Sequence, residues 1–354
     1  MINNVLLIPV SQVHGTDALT EKVLLSIFNG HAAVTLFFLL SGCVLIKSLE
    51  RMSGSTSEIT VKFAVKRALR IYPATMCAVL FTAALLLILA LAWPNIFRAY
   101  TPLAVVENTF LYLPVVIGGT WTLRVEILFI PFFIVIGLLS RRVGVLAVIA
   151  AVAASFAVYH WPAIISDGWV REAAIPMSLG TLIPTYIGRR FAMTTRSVWP
   201  LALVFALTGR HIFGYASEFG MYVHCVAAFL FVAIVYHAAP AALDRFLSLR
   251  VSQTLGRLSF SFYLFNYPLL IVLTFMQPTV LKLHPLIFAC VAIPPVVLSG
   301  LVLAMLSERY IERPSIKVGS ICAQHAADLI TRWQTSPSEP IGIGLESRSD
   351  TAGR

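Results

Sequence analysis

Charge is what this chain has least of. Asp, Glu, Lys and Arg together make up 12% of 354 residues, and only 16 of them are acidic against 26 basic. A soluble domain carries about twice that charged fraction. With 58% hydrophobic residues and a mean hydropathy of +0.86, the composition excludes an ordinary soluble enzyme and indicates a polytopic membrane protein. Cysteine is also sparse. Cys43, Cys77, Cys225, Cys290 and Cys322 form no CxxC pair, and four lie in apolar runs, where a thiol acts as a small hydrophobe. Neither a disulfide framework nor a metal site is indicated. GxxxxGK[ST], GxGxxG and HExxH are all missing, so nucleotide hydrolysis and zinc peptidase chemistry lack their motifs. No internal repeat of the kind found in transporters is present.

Long apolar runs are abundant. Runs near the 17–25 residues needed to cross a bilayer occur at 32–48, 74–93, 121–139, 143–161, 173–188, 197–209, 221–239, 258–277 and 286–306. An all-α bundle of nine to ten transmembrane helices is expected. Loops on one side hold fourteen basic residues: Lys47, Arg51, Lys62, Lys66, Arg67, Arg70, Arg141, Arg142, Arg189, Arg190, Arg196, Arg245, Arg250 and Arg257. Loops between spans on the other side hold four: Arg98, Arg171, Arg210 and Lys282. The basic excess marks the cytoplasmic side, so the net charge of +10 reports topology rather than nucleic-acid binding. The C-terminus is then cytoplasmic. Residues 4–10 are apolar but too short to span, and they read as the tail of a first helix. A membrane domain over 1–314 is expected, followed by a tail over 315–354 with a short surface helix near 318–333 and a disordered end.

The most informative stretch is Trp121-Thr-Leu-Arg124-Val-Glu126, at the mouth of a span. Ionisable groups at such depth are costly and mark functional paths. Two positions apart on a helix is about 200°, so Arg124 and Glu126 face different ways and each needs a partner elsewhere. Thr122 is the obvious local partner for Glu126. Upstream, Lys62, Lys66 and Arg70 share one face of an expected interfacial helix whose other side is Phe63, Ala64 and Leu69. Two readings stand side by side there: attraction to anionic headgroups, or an arginine clamp on a polyphosphate. His31 stands at the outer end of the span at 32–48, and Ser41-Gly42 lets another helix approach that span. Ser259, Tyr263 and Asn266 make a polar stripe on the span at 258–277, and Pro314 is expected to stop the last span.

Five segments occur in order: NGHAAVTLFFLLSG at 29–42, FAVKRALRIYP at 63–73, TWTLRVEILF at 120–129, LGRLSFSFYLFNYP at 255–268 and ERYIERP at 308–314. Together they resemble the integral-membrane acyltransferase-3 family, bacterial O-acyltransferases of cell-surface and exported glycans. The resemblance implies about ten helices in the bacterial inner membrane. It also implies an acyl-CoA donor, acetyl-CoA first among them, bound on the cytoplasmic side with no permanently held cofactor and no metal, and a glycan or other hydroxylated acceptor. Arg67 and Arg70 would hold the CoA phosphates, with Lys66 and Tyr72 beside them. Glu126 would be an active-site group, and Trp121, Arg124, His31 and Tyr263 would face the acceptor. Two positions depart from the pattern. The family's first helix carries an arginine ahead of a catalytic histidine, and here the corresponding residues are Asn3 and His14. Asn266 stands where members carry histidine, and asparagine hydrogen-bonds but cannot shuttle a proton.

Two other classes remain open on the sequence: a transporter or translocase of a glycan or lipid-linked precursor, with Pro131, Pro184 and Pro294 interrupting its spans, or an inactive, truncated acyltransferase.

Overall fold

The computed structural model describes residues 30–92, 101–214, 217–280 and 285–335, and the described residues form helices without strands. In chain order the helices are α1 (Gly30–Glu50), α2 (Thr56–Ala92), α3 (Pro102–Thr109), α4 (Trp121–Leu128), α5 (Ile130–Val143), α6 (Val145–His160) and α7 (Gly168–Leu182). Then come α8 (Tyr186–Thr194), α9 (Trp199–Phe213), α10 (Glu218–Ala238), α11 (Ala241–Ser248), α12 (Arg250–Val280), α13 (Pro285–Ser307) and α14 (Arg313–Thr335).

Five of the described segments are long and apolar enough to cross a membrane: α1, α2, Gly118–Val143, α10 and Arg250–Leu273. A sixth arises if α8 and the helix after it, bent by 69° at the Thr195 break, count as one broken span. The expected spans at 143–161 and 173–188 appear as α6 and α7, of 16 and 15 residues. His14 and Asn3 lie outside the described residues, as does the chain end beyond Thr335.

α1 is the central post. It packs on α7 at a point where Gly42 and Gly180 face each other. A Cβ on Gly42 would stand 2.1 Å from the Met177 carbonyl oxygen, and one on Gly180 would stand 2.2 Å from that of Leu39. The close approach expected at Ser41-Gly42 is therefore a backbone-to-backbone contact.

α2 departs from expectation. The basic segment and the span after it are one helix of 37 residues, with Pro73 inside it. Its start is capped by Ser55, whose Oγ accepts from the Glu58 backbone N–H at 3.3 Å and donates to the Glu58 carboxylate at 3.1 Å. At 1.5 Å per residue α2 is about 55 Å long, against roughly 30 Å of hydrocarbon. Its basic half is continuous with the span rather than a separate helix in the interface, and Ile59 and Phe63 pack with Leu45, Leu49 and Phe133.

The last span does not stop at Pro314 either. α13 passes through a π-turn over Glu308–Glu312 straight into α14. Pro314 is the second residue of that helix, which continues through it. α14 runs back along the basic half of α2: Gly319 lies against Leu69 and Lys66, and Thr331 donates to Glu58 at 3.2 Å. The expected surface helix thus exists, begins earlier, and buries Ala323 and Ala327.

Candidate active site

α4 has only eight residues, and its placement is dictated by the turn before it. Asn108, fully buried on α3, donates from Nδ2 to Thr120 Oγ1 at 2.7 Å. Its Oδ1 accepts from the backbone N–H groups of Val116 and Ile117 at 2.9 and 2.7 Å. Thr120 in turn donates to the Ile117 carbonyl. One amide thus satisfies two otherwise unpaired buried backbone N–H groups and ties them to the Thr120 hydroxyl, which fixes the Val116–Thr120 turn. Gly118 and Gly119 complete it, because a Cβ on either would press on the hydroxyls of Tyr267 and Tyr263 at 2.9 and 3.0 Å. Tyr263 donates to the Gly119 carbonyl and shares a 3.1 Å hydrogen bond with Thr122 Oγ1. α4 is therefore pinned to α12 at its first turn. Beyond it, Leu123 joins the core of Ile71, Val79 and Phe265, and Val125 joins the core of Phe38, Phe63 and Phe133.

That wedge position sends Arg124 and Glu126 to different neighbours, as their spacing requires. Glu126 is buried and accepts from Arg67 Nη1 of α2 at 3.1 Å. Thr122, the local partner expected from sequence, turns away to the Gly119 carbonyl and Tyr263. Arg67 also lies over the buried Phe63 ring, 6.0 Å from its centroid. Arg70, one turn on, is exposed and stands within electrostatic range of both Glu126 and Glu312.

Glu312 and Glu308 extend the network from the π-turn. Ser261 of α12 donates to the Glu312 carboxylate at 2.9 Å and to Ser307 Oγ at 3.1 Å. Glu308, also buried, is held by Arg313 at 2.6 Å and Arg257 at 3.3 Å. The π-turn packs Ile311 on the core of Ile71 and Leu264 and turns two carboxylates four residues apart toward α12 and Arg70; π-turns are frequent at functional sites. A buried charge needs such partners. Segments 63–73, 120–129, 255–268 and 308–314, separate in sequence, are one polar cluster in space.

The remaining expected residues fall in three places. Lys66 and Arg70 are exposed on α2, and Tyr72 is half-buried among the side chains packed on Ile71 and Leu264. His31 belongs to a different cluster, at the start of α1: Arg210 Nη1 lies 3.3 Å from His31 Nδ1 and donates to Glu172 at 2.9 Å. Asn266 faces Gly300 of α13, whose Cβ position is 3.7 Å from the Asn266 Cβ. The polar stripe of α12 splits accordingly: Ser259 bonds within its own helix at Gly256, Tyr263 reaches Gly119, and Asn266 meets α13.

On the far side of α4 from Glu126, Arg124 Nη1 donates to Asp167 Oδ2. Asp167 is the N-cap of α7 and accepts from the N–H groups of Trp169 and Val170 at 3.0 and 3.3 Å. Burial pushes its carboxyl up, but the Arg124 guanidinium and the two backbone donors outweigh that and hold it below the usual carboxylate range. Trp121 stacks obliquely on Trp169, with centroids 6.1 Å apart.

Sequence reasoning missed Asn108, Ser261, Asp167 and the carboxylate role of Glu308 and Glu312. For Asp167 a signal existed: an aspartate directly before an apolar helical run is an N-cap pattern. For Ser261 none did, because its partners are 46 and 51 positions away, and for Asn108 no helical or turn spacing links it to residues 8 to 12 positions on.

Comparison with curated proteins and with solved structures finds no match. A family model described as an acyltransferase domain matches residues 5–305, most of the chain. Four of the five segments that resembled this family on sequence are gathered by the fold around the Arg67–Glu126 pair, and the chain belongs to the acyltransferase-3 family.

Proposed function

We propose that this protein is an integral-membrane O-acyltransferase that moves an acyl group, acetyl first among them, from acyl-CoA to a hydroxyl of a cell-surface or exported glycan. One observation carries the reading: a buried carboxylate, Glu126, held by Arg67, in a cluster that opens through Arg70 toward the basic side.

The roles follow from chemistry. The donor is a polyphosphate, and arginine forks match phosphate oxygens bidentately. Arg70 and Lys66, exposed and one turn apart, are the residues of α2 open to such a ligand, and Arg67 connects that turn to Glu126. The acceptor hydroxyl is a weak nucleophile and needs a base, a contribution of about 10²–10⁴-fold. Glu126 takes that proton, or orients the group that does; His14 of the upstream segment is the other residue of suitable chemistry. The hydroxyl oxygen then forms the C–O bond to the thioester carbon. The C–S bond breaks, and the thiolate leaves as CoA, taking up the proton. Charge on the carbonyl oxygen is met by preorganised donors. Tyr263, Asn266, Trp121 and His31 shape the surroundings rather than carry the proton.

This reading places the protein in the bacterial inner membrane with about nine to ten spans, the loop before α2 and helix α14 cytoplasmic, in keeping with the basic-residue count. The test is acyl-CoA binding by purified protein. Lys66→Ala with Arg70→Ala, both exposed, is expected to weaken it by an order of magnitude or more at unchanged expression, and unchanged affinity refutes the clamp. A transporter instead moves glycan across proteoliposomes with no acyl donor present.

A further inference from the structure

The second face of α4 carries a built concavity that the acyl-transfer chemistry does not use. Leu113, Arg124, Asp167, Gly168 and Trp169 line an open depression of about 330 Å³. That is at the lower end of the roughly 300–1,000 Å³ typical of small-molecule sites. Its walls combine three chemistries. Trp169 is 39% exposed, a large apolar plane left open beside charged groups. The Arg124 guanidinium lies over that indole, 5.9 Å from its centroid, and supplies donors. Asp167, with a side chain a quarter exposed, supplies an acceptor. Gly168 adds no side chain to the rim, so the backbone there is open to approach.

All of these groups are held in advance. Asp167 is fixed by two backbone N–H groups and by Arg124, and Trp169 is backed by Trp121, itself set edge-on against Phe38. Such rigidity lowers the entropy lost on binding. An apolar plane flanked by a paired donor and acceptor fits a ligand with apolar C–H faces and a rim of hydroxyls. The carboxylate and guanidinium neutralise each other, and Arg171, whose Nη2 lies 3.9 Å from the Cβ position of Gly168, is the next charge at the rim, so uncharged probes isolate stacking and hydrogen bonding.

We infer that this depression is a docking subsite for a saccharide, stacked on Trp169 and hydrogen-bonded by Asp167 and Arg124. The inference rests on the acyltransferase reading and deepens it. Arg124 and Glu126 are two residues, about 3 Å of helix rise, apart. A sugar docked on one face of α4 is thereby registered against a reaction on the other. Because the faces differ by about 200°, the docked ring is a different unit from the one acylated, so its binding energy is spent on positioning. Trp169 and Asp167 are positioning residues.

The experiment is titration of the purified full chain in detergent with neutral hexasaccharides, one an α-glucan, one a β-glucan and one chitin-derived, followed by tryptophan fluorescence. Acyl-CoA affinity, measured alongside, serves as the folding control. At least one hexasaccharide is expected to bind, with affinity reduced tenfold or more by Trp169→Ala and by Asp167→Asn. Trp169→Phe, which keeps a ring, is expected to retain most of it. In turnover, the alanine variant raises the acceptor KM at near-constant kcat. Absence of binding by all three sugars, or binding indifferent to Trp169→Ala, overturns the subsite. Should sugars fail while acyl-CoA binds, this inference alone falls; should sugars bind while acyl-CoA does not, the acyltransferase reading falls and the subsite stands.

Discussion

At the scale of single residues the account turns on a buried ion pair. Removing one partner of such a pair leaves an uncompensated charge and costs about 3–5 kcal/mol, whereas replacing both with apolar groups is often close to neutral. Arg67→Ala alone is therefore expected to lower thermal stability markedly. The double variant Arg67→Met with Glu126→Leu is expected to recover most of it, and to remain without turnover. Recovered stability and recovered activity together would make the pair purely structural. Asp167 gives a pH signature. Its native carboxyl sits below the unfolded value of about 3.9, so its stabilisation is complete above that value and is lost as pH falls through the native one. The melting temperature of the wild type is expected to exceed that of Asp167→Asn near neutral pH, with the gap closing below about pH 4. A gap that persists there contradicts the assignment.

The divergence of Arg124 and Glu126 was legible from spacing alone, since helix periodicity leaves them no common face. Which residues receive them was not. Arg67 is 59 positions from Glu126 and Asp167 is 43 from Arg124, and no local rule reports contacts made by packing. Thr122 illustrates the failure: it stands one turn from Glu126, yet the Gly119 carbonyl and Tyr263 compete for its hydroxyl and win.

At the scale of elements, α4 is a short helix whose position is imposed by its approach turn and by α12. Asn108→Ala removes three hydrogen bonds and leaves buried backbone donors unpaired, at about 1–3 kcal/mol for each orphaned group. Loss of stability together with loss of donor binding is expected, since the turn aims Glu126. Stability lost at full donor affinity would detach the turn from the site. Gly42→Ala and Gly180→Ala force apart two backbones already in contact. Overpacking of this kind costs about 1–3 kcal/mol, and thermal melts of either variant measure it.

Helix ends were less readable than helix interiors. Proline at 314 suggested a boundary, because proline removes a donor and disfavours the helical turn before it. The helix runs through it, as α2 runs through Pro73. The split between an interfacial helix and a span vanished with that continuity.

At the scale of the whole molecule, composition established a helical membrane protein before any motif was weighed, and the basic-residue count proposed its orientation. Single cysteines in a background lacking the other native thiols check it. Ser53→Cys and the native, exposed Cys322 are expected to react with an impermeant maleimide only from the cytoplasmic face, and Ser166→Cys only from the opposite one. The reverse pattern would invert the bundle and place Arg70 on the wrong side for acyl-CoA.

The central claim is acyl transfer that depends on Glu126. The most direct measurement is release of CoA from acetyl-CoA by the purified protein in detergent, with and without a mixture of hydroxylated glycans, comparing wild type with Glu126→Gln. The account expects glycan-dependent release in the wild type, reduced at least a hundredfold in the variant while acetyl-CoA still binds. Glycan-dependent release that survives Glu126→Gln undiminished would contradict it.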